Sequence, residues 1–216
     1  MMFLIFGPPG AGKGTQAEIL AQKYNLKKFS MGDVLREEIS AGSSIGRMVE
    51  EHIKNGALVP DELIFEIVED FLLANLNTDI LFDGFPRNLN QALELERILA
   101  QHNLKLSLAI ELSLPEDEII RRLSGRTYCS VCGTLYNEIT NPPQKTGVCD
   151  RCGGKLLKRP DDDVAVIRNR LKVYNEETRP LAEYYKSLGI HRMVSAMGDK
   201  DLVFKRIVEV IDGCFK

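Results

Sequence analysis

The sequence predicts an α/β fold in which a parallel sheet is covered on both faces by helices. Three observations lead there. Short apolar runs alternate with segments of helical spacing, the first run ends in a glycine-rich turn that opens a helix, and two stretches rich in turn residues or short helices interrupt the alternation. At 216 residues the chain is long enough to bury a sizeable core in one α/β domain with modest insertions.

The run 2–6 is continuously apolar, the pattern of a strand covered on both faces rather than one. After a turn, Lys13–Tyr24 carries Ala17, Leu20 and Ala21 at helical spacing. The runs 80–82, ending at Asp83, and 106–112 read as further buried strands, and 190–194 as another. Helical segments lie between them: 62–73 starts after Pro60 and Asp61, and 89–100 starts after Asn88, a residue type that caps helix N-termini. Val164, Ile167, Leu171 and Tyr174 share one helical face, and Pro180 starts a new turn or bends that helix. Residues 30–59 hold helical pieces without a strand-like run, and 125–162 are rich in turn residues. Both read as insertions projecting from a core made of 1–29, 60–124 and 163–216.

Bulk composition narrows the function. A formal charge of −3 gives no general attraction to nucleic acid or an anionic membrane, so an anionic ligand needs locally placed cations. No run approaches the roughly 18 apolar residues of a membrane span, and the run 1–6 lacks leading basic residues and is too short for an export signal. A cytoplasmic protein is expected. Five cysteines then point to metal or chemistry before disulfides.

Gly7-Pro8-Pro9-Gly10-Ala11-Gly12-Lys13-Gly14-Thr15 follows a predicted strand and opens a predicted helix, the context that makes this pattern a phosphate loop. Glycines let backbone N–H groups turn inward around phosphate oxygens, the helix N-terminus adds partial positive charge, and Lys13 reaches the terminal phosphates. The general pattern has Ser or Thr directly after the lysine; here Gly14 intervenes before Thr15. Asp83, ending a strand, stands where such proteins place a carboxylate for Mg²⁺ or its water shell. Cys129-x2-Cys132 and Cys149-x2-Cys152 have the spacing that closes a tetrahedral metal site, with zinc expected and iron or cobalt open. Four thiolates leave no open coordination position, so the metal staples the insertion and takes no part in chemistry.

With Gly84-Phe85-Pro86-Arg87 after Asp83, the chain resembles the adenylate kinase family of P-loop nucleoside monophosphate kinases, in the bacterial-type long form with a four-cysteine lid. The phosphate loop, 32–36, 58–61, Gln91 and the later arginines match in order. The resemblance implies a P-loop three-layer fold on a five-stranded parallel sheet, with 30–59 as the NMP-binding insertion and 125–162 as a zinc-ribbon-like lid. It implies reversible transfer from MgATP to AMP, giving two ADP, by a monomer that binds neither nucleic acid nor membrane. For ATP it implies Gly10 to Thr15, Arg122, Arg126, Leu135, Tyr136, Gly198 and Lys200. For AMP it implies Met31, Arg36, Ala57, Leu58, Val59, Gly84, Phe85, Arg87 and Gln91, with Arg159 and Arg170 shared. Lys13, Arg87, Arg126, Arg159 and Arg170 are the implied catalytic cations, with Asp83 holding Mg²⁺ through water.

A guanidinium fork binds phosphate bidentately and stays charged, which supports the arginine roles independently. An AMP phosphate is largely ionised at neutral pH, so no general base is required. Met31 departs from the threonine that bacterial members carry, which leaves open a different monophosphate acceptor or a GTP donor. A zinc-ribbon module binding nucleic acid is the competing reading from another class.

Overall fold

The computed structural model describes residues 1–214. In chain order, β1 (Met2–Phe6) leads into α1 (Lys13–Tyr24), and β2 (Lys27–Ser30) into α2 (Met31–Ala41), α3 (Ser44–Lys54) and α4 (Asp61–Ala74). Then β3 (Ile80–Asp83) precedes α5 (Leu89–Gln101), and β4 (Leu108–Ser113) precedes α6 (Glu116–Ser124). Short strands β5 (Arg126–Cys129), β6 (Leu135–Asn137) and β7 (Leu156–Leu157) follow. The chain returns through α7 (Val164–Val173), a π turn at Tyr174–Thr178, α8 (Leu181–Ser187), β8 (His191–Ser195) and α9 (Lys200–Cys214).

The large sheet is parallel throughout, in the order β2-β3-β1-β4-β8. Alternation along each strand divides the core into two layers. Met2, Leu4 and Phe6 face one side with Ile80 and Phe82, against α4, α5 and α8. Phe3 and Ile5 face the other with Leu81, Leu108 and Ile110, against α1 and α9. Each fully buried Leu, Ile or Phe contributes about 1.5–3 kcal/mol, and both layers are dense with them. The three-layer α/β architecture and the five parallel strands are as expected.

The strand that apolar patterning did not reveal is β2. Its sequence, Lys-Lys-Phe-Ser, begins with an exposed and a half-buried lysine because it lies at the sheet edge. The Pro180 signal has a definite form: Arg179 N–H bonds to Tyr174 O at 2.8 Å, widening the helix end into the π turn before α8 restarts.

The topology positions the site. Central β1 has β3 on one side and β4 on the other, so the loops after β1 and β3 open together at the carboxyl edge of the sheet, where doubly wound folds bind ligands. Ile5 registers with Asp83, setting that carboxylate beside the glycine-rich loop. The antiparallel sheet β6-β5-β7 lies entirely within 125–162, and α2 and α3 lie within 30–59.

Candidate active site

The loop at 7–12 turns back over the sheet with Gly10 at φ 79° and Gly12 at φ 87°, a left-handed backbone that side chains disfavour. Lys13 opens α1 and its Nζ donates to the carbonyls of Gly7 and Pro8, 2.8 Å each. Desolvation holds its ammonium down to about 7, against the attraction of Asp83, with Arg87, Arg170 and Arg126 adding to the depression. The same burial pushes Asp83 up, opposed by Lys13. Gly14 has a steric reason to lack a side chain: a Cβ there would stand 3.3 Å from Asp83 Oδ2. A Ser or Thr there would need the carboxylate to give by a few tenths of an ångström. Thr15 lies exposed one residue further on.

A single cavity runs from this loop to the predicted acceptor residues. Lys13 lines it together with Arg36, Arg87, Gln91 and Arg170, and Met31, Ala57 to Val59 and Gly84 form further wall. Among the described residues no histidine lines it. Arg87 is fixed on three sides. Its Nε donates to Gly84 O at 2.8 Å, its N–H donates to Gln91 Oε1 at 2.7 Å, and its carbonyl accepts from Thr178 Oγ1 at 2.6 Å. Phe85 is 1% exposed and packs edge-on to Phe29, so its side chain belongs to the core and only its backbone reaches the turn.

The remaining arginines converge from the far side. Arg126 forms a fork on Asp162, with Nε–Oδ2 2.7 Å and Nη2–Oδ1 2.5 Å. Arg170 Nη1 bonds Asp162 Oδ1 at 3.1 Å and Asp161 Oδ2 at 2.9 Å. Arg159 Nε is buried with no hydrogen-bond partner among the described residues. Burial, then Arg170, holds Arg87 down to about 10; burial, then Arg126 and Arg36, does the same for Arg159. Such mutual depression means a concentration of positive charge that Asp83, Asp161 and Asp162 offset only in part, an arrangement suited to a polyanion. Arg36 is paired with Asp33 at 2.5 Å.

On the other flank, Arg122 Nη2 donates to Ala196 O at 3.1 Å and Gly198 O at 3.3 Å, while Gln16 Nε2 donates to Lys200 O at 2.9 Å. The Gln16 bond holds the start of α9 against the helix that the phosphate loop opens, and the Arg122 bonds tie the preceding turn at Gly198 to α6. Tyr136 points elsewhere: its hydroxyl accepts from Asp150 N–H at 2.8 Å and lies 3.5 Å from Cys149 Sγ, leaving backbone and Leu135 as what this strand can offer a nucleotide.

The four paired cysteines meet. All are free thiols, their Sγ atoms lie within 4.8 Å of one another, and neighbouring separations are 3.4–3.6 Å. Zinc–sulfur bonds of about 2.3 Å imply tetrahedron edges of about 3.8 Å, so the donor set fits a tetrahedral ion. Both Cys-x2-Cys turns end in a left-handed glycine, with Gly133 N–H on Cys129 O at 3.0 Å and Gly153 N–H on Cys149 O at 2.9 Å. Cys214 packs apart from them, against the α1 and α9 layer.

Sequence reasoning missed Tyr174, Thr178 and Asp161 as cavity wall and Asp61 as the partner of Gln91. Asp61 reads as a helix-start signal and as the end of the matched stretch 58–61, neither of which points to Gln91, and the π turn that delivers Thr178 has no periodic signature.

The adenylate kinase family model matches residues 5–190. An adenylate kinase from Thermodesulfovibrio yellowstonii is 40% identical over 213 residues, covering 98% of this chain and 99% of its own. One from Acidothermus cellulolyticus is 41% identical over 212 residues, covering 98% of each chain, and one from Methanocella arvoryzae is 42% identical over 203, covering 94% of this chain and 93% of its own. Phosphate loop, arginine-lined cavity and cysteine cluster thus lie in a chain that belongs to the adenylate kinase family.

Proposed function

We propose that the chain catalyses reversible phosphoryl transfer between MgATP and AMP, yielding two ADP, in the cavity that joins Lys13 to Arg36 and Arg87. The observation that carries this reading is that one cavity holds the lysine of a phosphate loop and a separate arginine pair. A donor phosphate chain and an acceptor phosphate each have cations in the same cavity.

In this assignment the loop amides of residues 10–15 and Lys13 hold the donor's phosphates. Arg36 and Arg87 hold the acceptor phosphate, Gln91 reads its base, and residues 57–59 line the base pocket. Arg126, Arg159 and Arg170 neutralise charge on the migrating group, and the buried unpaired Nε of Arg159 supports such a use. Mg²⁺, entering with ATP, supplies charge neutralisation on the phosphates, and Asp83 is the carboxylate placed to hold its water shell. Catalysis is positioning plus electrostatics on an acceptor phosphate already largely ionised at neutral pH.

Residues 30–59 and 125–162 are assigned as the two elements that close over the substrates and exclude water as a competing acceptor. The four cysteines hold a structural zinc that stabilises the second of them. A cytoplasmic monomer completes the reading; among the described residues no helix is long and apolar enough to cross a membrane.

A coupled assay of ADP formation from MgATP with AMP, CMP, UMP or GMP tests it. Turnover with AMP and at most trace turnover with the others is the expected result. Preference for another acceptor would reassign the site to a different monophosphate, and no turnover with any would overturn the reading.

A further inference from the structure

We infer that Asp61, which lies outside the cavity, sets the base preference of the acceptor pocket by fixing the Gln91 side-chain amide in one of its two orientations. The inference rests on the acceptor reading above. Gln91 is 2% exposed and lines the cavity. Its Oε1 accepts from Arg87 N–H at 2.7 Å and its Nε2 donates to Asp61 Oδ1 at 2.7 Å. A backbone N–H only donates and an ionised carboxylate only accepts. Turned over, the amide would set donor against donor at Arg87 and acceptor against acceptor at Asp61.

Asp61 is built into this task. Three amide donors converge on its carboxylate: Gln91 Nε2, Asn90 Nδ2 at 2.7 Å and Asn88 Nδ2 at 3.2 Å. Asn88 Oδ1 in turn accepts from the Gln91 backbone N–H at 2.8 Å, so one cluster fixes both the main chain and the amide of the same residue.

An amide held this way keeps one N–H and one oxygen lone pair uncommitted, in a fixed order. A 6-aminopurine presents a donor at N6 and an acceptor at N1, which meet that oxygen and that N–H. A 6-oxopurine presents the reverse, an acceptor at O6 and a donor at N1. A freely turning amide pairs with either edge, whereas a fixed one leaves the second edge unpaired. Met31, buried in the same wall, has a side chain without a hydrogen-bond donor, so of these two side chains only Gln91 can read the edge by donor and acceptor.

The test compares kcat/KM for AMP and IMP, which differ at this edge, with MgATP as donor. The wild type is expected to favour AMP by about 100-fold or more, since a pocket built around hydrogen bonds rejects the mismatched edge strongly. In Asp61→Asn a single acceptor oxygen faces three donors, and an NH₂ faces Gln91 or a neighbour, so the reversed amide becomes competitive. The AMP/IMP ratio should then fall by about tenfold, mainly through KM, and Asp61→Glu should recover part of it by restoring the carboxylate. A role confined to starting α4 would lower thermal stability and leave the ratio unchanged. That outcome in a folded Asp61→Asn variant overturns the inference, as does a wild type that uses IMP within about tenfold of AMP, a measurement that needs no variant. A wild type inactive with AMP would instead overturn the acceptor reading on which this one rests.

Discussion

Replacing Arg87 with lysine keeps the charge and removes the fork. In the wild type Nε is already committed to Gly84 O at 2.8 Å, which fixes the plane of the guanidinium of this cavity-lining residue and leaves its two terminal nitrogens for a ligand. Lysine has one nitrogen on a flexible stem and cannot present two donors in the fixed plane with which a guanidinium grips a phosphate. Losing one aligned, charge-bearing donor that holds the attacking acceptor phosphate in line costs about 3–4 kcal/mol, or about 10²–10³ in kcat. The fold should hardly notice, because the bonds that pin this residue, from Thr178 Oγ1 and to Gln91 Oε1, involve its backbone. Steady-state kcat and KM for AMP at saturating MgATP, with thermal midpoints beside them, give the answer. The expected Arg87→Lys enzyme melts within about 2 °C of the wild type and is about 10²–10³-fold slower. Retention of kcat and KM within about threefold would refute the reasoning, since charge alone would then suffice.

Two further outcomes are expected. The small sheet buries little besides Cys129, Tyr136 and Cys149, with Cys132 and Leu156 against them, so the proposed zinc, worth about 10–16 kcal/mol when bound, would dominate its stability. Chelation should abolish amide-exchange protection across 126–157 while β1, β3 and β4 keep theirs; unchanged protection, or a metal content other than one per chain, contradicts this. At pH 8.5 a Lys13 held at about 7 is mostly neutral, and a bound polyphosphate raises it toward its ordinary value. ATP binding should therefore take up a proton, visible as heats that vary with buffer ionisation enthalpy and lost in Lys13→Met; net release would show the sign to be wrong.

The sheet was legible where its strands are buried on both faces, because continuous apolar runs such as 2–6 and 80–82 have no other economical explanation. It was illegible at β2, whose lysines are tolerated at an edge, so a residue-level reading finds four strands and the fifth comes from the family resemblance. The phosphate loop and cysteine pairs were legible because their chemistry requires fixed spacing. Partnerships between distant residues were not: Arg126 with Asp162, Thr178 with Arg87, and Asp61 with Gln91 span 30 to 91 positions and leave no local pattern. Tyr136 illustrates the converse, since its place in the chain matches a nucleotide-covering segment while its ring is committed to the cysteine cluster.

Donor and acceptor are assigned end to end, with their phosphates meeting in the cavity that Lys13, Arg36 and Arg87 line. A crystal structure with two adenosines joined through a five-phosphate chain shows whether they lie so. One adenine is predicted beside Gln91 and residues 57–59, the other beside Gly198 to Lys200, with Lys13, Arg87 and Arg159 on the phosphates between. Both adenines on the same side of Lys13, or a phosphate chain that misses Arg87, would contradict this assignment.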